Sequence, residues 1–493
     1  MKLSDILNGT TSAGPVTPTV SPIAPVDLAI DLMPHQVEAR DYILARRGTL
    51  LADDMGLGKT AVAIAVMAAA QAQGLRSLVV VPPTLLINWE REINRFAPWM
   101  TVATVKGTKP WPVPVTDVTL IANSVALDSW SDSLCAVRYG VVVADESHKF
   151  KSDTAGRTKA LIKISQTVSH VRLLMSGTPL PNGKHGELIT QLTALGVWGA
   201  NGWTKGGFYS NYWVKDPESR FGRVNRNGQD LHQKLTSTLM LRRDRHTVLT
   251  LEEKLRGACT VGGRGPWVKK YQEAQDDILD FIQRSKGPDY ELTPGQIAAE
   301  ALIRMNVLRK ASGMMKVEAV AEYVIDYLED HPNEGVFLVA EHTDVIDTLA
   351  MKLEKHDPMI LDGDTSPAEK QEAVDRFSNG NSRILIGQIT CVAEGLTLHG
   401  GGRNRHVVIV QLPWSPSALL QAEDRLHRIG QPNAVVATVM LGHIANEWTI
   451  DQRLWGLLET KQIGATLAID GQASGLFDDD VESVQAGVFA TYK

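Results

Sequence analysis

The sequence has little with which to build a covalent or metal framework. Its three cysteines, Cys135, Cys259 and Cys391, lie far apart in 493 residues. No CxxC pair or Cys/His cluster accompanies them, which excludes a disulfide scaffold and offers no structural metal site. Thiols this sparse fit a reducing compartment. Basic charge is not in excess either: 50 Lys and Arg stand against 56 Asp and Glu, a net charge of -6. That balance excludes tail-driven or histone-like binding to nucleic acid, but not a local basic lining. The longest apolar run, 61–70, is too short and too alanine-rich to span a bilayer. Lys2 is followed by no apolar stretch of the kind a signal peptide carries. A cytoplasmic protein with no membrane partner is expected.

What is present is ordinary globular composition, 43% hydrophobic and 22% charged. The length corresponds to about three domain-sized units. Residues 1–28 are rich in Pro, Thr, Ser and Gly and read as a flexible leader. Short apolar strands then alternate with helical stretches: strands at 48–52, 77–81, 119–122, 140–144 and 171–175, and again at 335–340, 359–361, 383–387, 406–411 and 435–440. Apolar strands alternating with helices imply parallel sheets covered on both faces, hence an α/β fold in two units. Between them the rhythm stops. We expect a first lobe over 29–250 with a helical protrusion at about 185–245, a linker and second helical protrusion over 251–330, a second lobe over 331–464, and a loose Gly/Ala/Asp-rich tail over 465–493.

The chemistry-bearing motifs sit at strand ends. Asp54-Met55-Gly56-Leu57-Gly58-Lys59-Thr60 joins a strand to an alanine-rich helix. Glycines let a loop curl its N–H groups toward phosphate, and the helix N-terminus favours negative charge. Lys59 can reach the β and γ phosphates of ATP, and the Thr60 hydroxyl can take Mg²⁺. The strict pattern has Gly where this chain has Asp53. About 85 residues on, the strand Val141-Val142-Val143-Ala144 ends in Asp145-Glu146-Ser147-His148. Carboxylates there lie at the carboxyl edge of a parallel sheet, where ligands of such folds bind. Asp145 suits Mg²⁺, and Glu146 suits the attacking water. Ser176-Gly177-Thr178 follows the next strand; together with His148 it reads as a coupling element. Upstream, His35 and Gln36 open a helix, and a glutamine amide can pair with adenine. In the second unit Arg425 and Arg428, three apart, are expected on one helix face, suited to a γ-phosphate in its transition state.

These segments, with Leu32-Met33-Pro34-His35-Gln36, Pro82-Pro83-Thr84-Leu85-Leu86-Ile87-Asn88-Trp89-Glu90, Leu241-Arg242-Arg243 and Gln421 to Gln431, occur in the order found in the Swi/Snf family of superfamily-two DNA translocases. The chain resembles that family over about 32–460, and within it the compact single-motor members similar to annealing helicases and bacterial or phage enzymes. The resemblance implies two RecA-like lobes with ATP and Mg²⁺ in the cleft between them, Arg428 as arginine finger, and Gly395 and Gln421 at the nucleotide. It implies double-stranded DNA as the track of a monomeric motor, without obligatory strand separation. Thr84, Ser124, His342, Thr343 and Thr397 would line the DNA groove, with Trp414 as a stacking surface. Lys149, Lys151, Arg242, Arg243, Arg245, Arg403 and Arg405 could add positive charge. From sequence, a strand-separating DNA or RNA helicase is the neighbouring alternative, and a non-enzymatic nucleic-acid clamp the alternative from another class.

Overall fold

A computed structural model describes residues 23–215, 222–249, 252, 254–284, 294–392, 398–428, 430–445 and 447–475. Two parallel sheets dominate them. The first is built from β1 (Gly48–Leu51), β2 (Ser77–Val81), β3 (Val102–Val105), β4 (Val118–Ala122), β5 (Val141–Ala144) and β6 (Val171–Met175). A short antiparallel hairpin, β7 (Trp213–Lys215) with β8 (Arg223–Asn225), precedes the last strand of that sheet, β9 (Met240–Leu241). The strand order is β3-β4-β2-β5-β6-β1-β9. The second sheet contains β10 (Lys254–Gly262), β11 (Gly335–Ala340), β12 (Met359–Leu361), β13 (Ile384–Gln388), β14 (Asn404–Ile409) and β15 (Val435–Ile444). Its order is β10-β15-β14-β11-β13-β12, and the short β16 (Glu447–Trp448) runs antiparallel to β15.

Both faces of each sheet are covered, which explains the continuous apolar runs. Along β2, Leu78 and Val80 point into one core and Val79 and Val81 into the other. The helix Lys59–Gln71 is buried from Ala61 through Ala70, so its alanines are what lets it pack on every side. Register carries this to the site. Leu51 pairs with Met175, and Ala144 pairs with Leu174, so β1, β5 and β6 end side by side.

Three expectations change. The stretch 251–330, read as linker and protrusion, contains β10, a nine-residue edge strand of the second sheet paired along β15. Its alternating, half-exposed pattern lacks the apolar run that marked the other strands. The 37-residue helix Pro294–Asp330 continues from the protrusion into the second core, where Val320, Val324 and Leu328 are buried. The expected loose tail begins too early, because the helix Ile450–Ile469 runs through that boundary. Its Leu454, Trp455 and Leu458 belong to a core of the second lobe, whereas Ala468 and Ile469 belong to one of the first. The small residues that read as loose are what close contact demands: a Cβ on Gly464 would stand 2.9 Å from the Gly183 carbonyl oxygen.

One fold contact is a buried charge. Lys316 donates to the carbonyls of Val410 at 2.7 Å and Met440 at 2.9 Å and to Asp451 at 2.6 Å, joining β14, β15 and the last helix. Removing one partner of such a pair strands the other. Lys316→Met should therefore cost about 3–5 kcal/mol, seen as a lower urea midpoint; a midpoint equal to that of the unaltered protein would refute this account.

Candidate active site

The loop after β1 curls through Gly56 (φ 89) and Gly58 (φ 73), left-handed conformations that glycine adopts without strain. Gly58 is also fixed by space, since a Cβ there would stand 2.3 Å from Gln36 Nε2. The Leu57 carbonyl is held by Gln36 Nε2 at 3.3 Å and His35 Nε2 at 3.1 Å. The Gln36 oxygen accepts from Met33 N at 3.0 Å, so one end of its amide caps its own helix and the other holds the loop. Lys59 Nζ donates to the carbonyls of Asp53 at 2.7 Å and Asp54 at 3.0 Å. Burial pulls the Lys59 ammonium below its usual range, against the opposing pull of Glu146 and Asp53. Asp53, the departure from pattern, is fully buried and takes a forked pair of bonds from Arg243, which also reaches the His35 carbonyl. The motif Leu241-Arg242-Arg243 thus clamps the loop from below through the carboxylate that replaces glycine.

The acidic pair lies at the end of β5. Asp145 Oδ1 accepts from Glu146 N at 2.9 Å and Oδ2 from Trp89 Nε1 at 3.0 Å. Glu146 stands at φ 49, ψ 52, a left-handed conformation rare for a side chain with a Cβ and typical of functional turns. Its Oε2 lies 3.2 Å from His148 Nδ1, which also meets Ser176 Oγ at 3.0 Å. Ser176 Oγ accepts from Thr178 N at 3.1 Å. Gly177 packs under the loop, where a Cβ would stand 2.7 Å from Met55 Cγ. His148, Ser176, Gly177 and Thr178 therefore form one chain of contacts from Glu146 to the glycine loop. Burial and the Glu146 charge raise the Asp145 carboxyl. Burial also works to raise Glu146, but His148 and Lys59 outweigh it and hold Glu146 low and ionised.

The donor set fits Mg²⁺. Asp145 and Thr60 offer hard oxygens beside the loop, and no cluster of three or more His, Cys, Asp or Glu among the described residues forms a metal cage. Mg²⁺ is usually held in this way, by one or two protein oxygens with substrate phosphates and water completing its shell.

The second sheet contributes Arg425 and Arg428. They do not share a helix face as expected, because the helix Pro416–Glu423 ends before them and both lie in the turns that follow. The chain leaves the helix where its acids find distant partners. Glu423 bonds Arg256 Nε at 2.7 Å and Lys254 at 2.8 Å, and Asp424 lies 2.8 Å from Arg245. Burial works to raise Asp424, but Lys254 and Arg245 hold it well below the carboxylate range. The turn is pinned by Arg425 Nε on the Gln421 carbonyl at 3.0 Å and Arg428 Nε on the Asp424 carbonyl at 2.9 Å. Both arginines nevertheless line the same cleft of about 590 Å³ as Gln36, Lys59, Thr60, Asp145 and Glu146. Gln421 is buried and is not among the residues lining that cleft. Gly395 lies outside the described residues.

The expected track residues are less uniform. Thr84 is exposed in a short turn after β2, next to the end of β4, where Ser124 caps the helix Val125–Val137 by accepting from Ala126 N at 3.3 Å. His342 and Thr343 follow β11; His342 is held by Gln411 and by Asn306 at 3.1 Å, and Thr343 is exposed. Trp414 has one face covered by the Arg309 guanidinium, 4.4 Å from the ring centre. Thr397 lies outside the described residues. Much of the expected positive charge is used elsewhere: Arg242, Arg243 and Arg245 in buried pairs, Arg405 with Glu334 and Lys151 with Glu187. The pairings of Arg243, Arg245 and Trp89 carry no local sequence signal, since each joins segments more than 50 residues apart.

Comparison with known proteins matches residues 35–261 to the SNF2-related domain and residues 315–430 to the helicase conserved C-terminal domain. The SWI/SNF-related matrix-associated actin-dependent regulator of chromatin subfamily A-like protein 1 homolog of Caenorhabditis elegans is 28% identical over 87% of this chain and 61% of its own length. The human DNA annealing helicase and endonuclease ZRANB3 is 30% identical over 90% of this chain and 41% of its own length. This chain therefore spans only about half the length of these relatives. Both relatives are animal proteins and lend no support to a bacterial or phage setting. Among solved structures, the Sulfolobus solfataricus SWI2/SNF2 ATPase core in complex with dsDNA aligns over 86% of this chain and 90% of its own at 21% identity, with a TM-score of 0.41. No helix among the described residues is long and apolar enough to cross a membrane. With an SNF2-related domain on the first sheet and a helicase C-terminal domain on the second, the chain belongs to the Swi/Snf family of helicase-like proteins.

Proposed function

We propose that this chain is an ATP-hydrolysing motor that translocates on double-stranded DNA, remodelling DNA or protein–DNA complexes without obligatory strand separation. The observation that carries the reading is the split cleft: Lys59, Thr60, Asp145 and Glu146 from one lobe face Arg425 and Arg428 from the other. A clamp with no chemistry has no need of this set. Family membership and relatives named as annealing helicases support DNA as the track.

In this reading the N–H groups of Gly56 to Thr60 cradle the phosphates of ATP, and Lys59 exchanges its backbone carbonyls for phosphate oxygens. Thr60 and Asp145 hold Mg²⁺, which neutralises charge on the phosphates. Glu146, kept ionised by His148 and Lys59, orients the attacking water and accepts its proton. Arg428 and Arg425 meet the charge that develops on the transferred phosphoryl group. Hydrolysis removes the ligand that both lobes grip, so the grip on Thr84 and Ser124 in one lobe and His342 and Thr343 in the other changes with each turnover. Because these are polar groups at strand ends, they position phosphate rather than read bases. Stimulation should therefore depend on duplex form and not on sequence.

Four measurements test the reading. Duplex DNA should stimulate ATP hydrolysis more than single-stranded DNA or RNA, and the protein should displace a triplex-forming strand without unwinding the duplex. Best stimulation by RNA, or unwinding without triplex displacement, would hand the function to a strand-separating helicase. Glu146→Gln should retain ATP and DNA binding while kcat falls on the order of 10²–10⁴-fold; unchanged turnover would remove Glu146 from its role. Arg428→Ala should lower kcat on the order of 10³-fold with ATP affinity little altered. If only Arg425→Ala has that effect, the finger is Arg425.

A further inference from the structure

Trp89 belongs to the Pro82–Glu90 segment. It lies on the amphipathic helix Leu86–Phe96, buried beside Ile93 and Phe96. Its ring belongs to a core of the first lobe and also forms part of the wall of the nucleotide cleft. A buried indole N–H needs an acceptor, and a backbone carbonyl is the common one. Here it is a carboxylate oxygen, Asp145 Oδ2, at 3.0 Å. The other oxygen is taken by Glu146 N at 2.9 Å. One N–H on each oxygen fixes the plane of the carboxylate, and each oxygen keeps a lone pair for a cation.

We infer that Trp89 is a positioning residue of the nucleotide site, whose indole N–H holds the Asp145 carboxylate in the orientation that binds a nucleotide-bound divalent cation. The inference rests on the reading of Asp145 as the cation's ligand. Outer partners of metal ligands fix the ligand's orientation, and their loss typically costs about 10–100-fold in metal affinity or activity. Trp89 touches neither the ion nor the phosphates; it acts through Asp145. A merely structural tryptophan would instead lower stability and leave the cation's affinity where it was.

Trp89→Phe keeps a buried aromatic ring and removes the donor together with part of the indole's volume. Mn²⁺ binding to the complex of the full chain with ADP, read by electron paramagnetic resonance, should weaken roughly tenfold or more. Binding of a fluorescent ADP analogue in EDTA should stay close to that of the unaltered protein. The ATPase rate of the variant should recover as Mg²⁺ is raised. In an Asp145→Asn background, Trp89→Phe should have no further effect on Mn²⁺, because the two act as one unit. Mn²⁺ affinity unchanged by Trp89→Phe but lost in Asp145→Asn overturns this inference alone. Mn²⁺ affinity unchanged in Asp145→Asn overturns the reading of the site, and this inference with it. Should Trp89→Phe fail to fold, Trp89→Leu measured at a temperature where circular dichroism reports a folded chain gives the same comparison.

Discussion

A single network of charges, half-buried at one end and buried at the other, runs from the glycine loop of one lobe to the arginine turn of the other. Arg242 holds Asp54 at 2.6 Å and Asp470 at 2.7 Å. The backbone N–H of Arg245 bonds Asp54 at 3.2 Å, and its guanidinium lies 2.8 Å from Asp424. Lys254 and Arg256 close the far side on Glu423 and Asp424. Glu423 and Asp424, buried this deeply, are costly unless every partner is present, so the value of their pairs lies in geometry more than in net stability. The network also lines a second cavity between the lobes, of about 270 Å³. Asp54 neighbours the loop glycines and Asp424 neighbours Arg425. The distance between the two halves of the cleft is therefore set by side chains that never enter it.

The same constraint explains Asp53. A glycine at that position would satisfy the loop alone, whereas the carboxylate lets Arg243 tie the loop to the end of β9 and to the helix carrying His35. Three consecutive features of the Leu241–Arg245 segment thus serve one purpose. The strand β9 adds a last rung beside β1, Arg243 and Arg242 fix the loop, and Arg245 reaches across to Asp424 of the second lobe.

How much was legible follows from range. The glycine loop, the acid pair and the inner strands are written in neighbouring residues, because phosphate cradles and doubly covered strands impose local patterns on the chain. The α/β class, the two units and the residues gathered in the cleft could therefore be read directly. The strand β9 could not, having two residues, and the edge strands β3 and β10 could not, because half-exposed residues break the continuous apolar run. The arginine turn was read as helix because a spacing of three fits both. What ended the helix was Lys254 and Arg256, about 170 residues away in sequence. Trp414 shows the converse: a residue type suited to a track, with an ordinary partner on its face.

The final helix, Ile450–Ile469, has a mechanical meaning. Twenty residues make a rod about 30 Å long. One end is packed in the second lobe beside Lys316, the other in the first beside His232, whose Nδ1 lies 2.8 Å from the Ile469 carbonyl oxygen. A rod seated at both ends couples them. Parting or turning one lobe against the other must unseat side chains at one end of it, as Gly464 from Gly183 or Asp470 from Arg242.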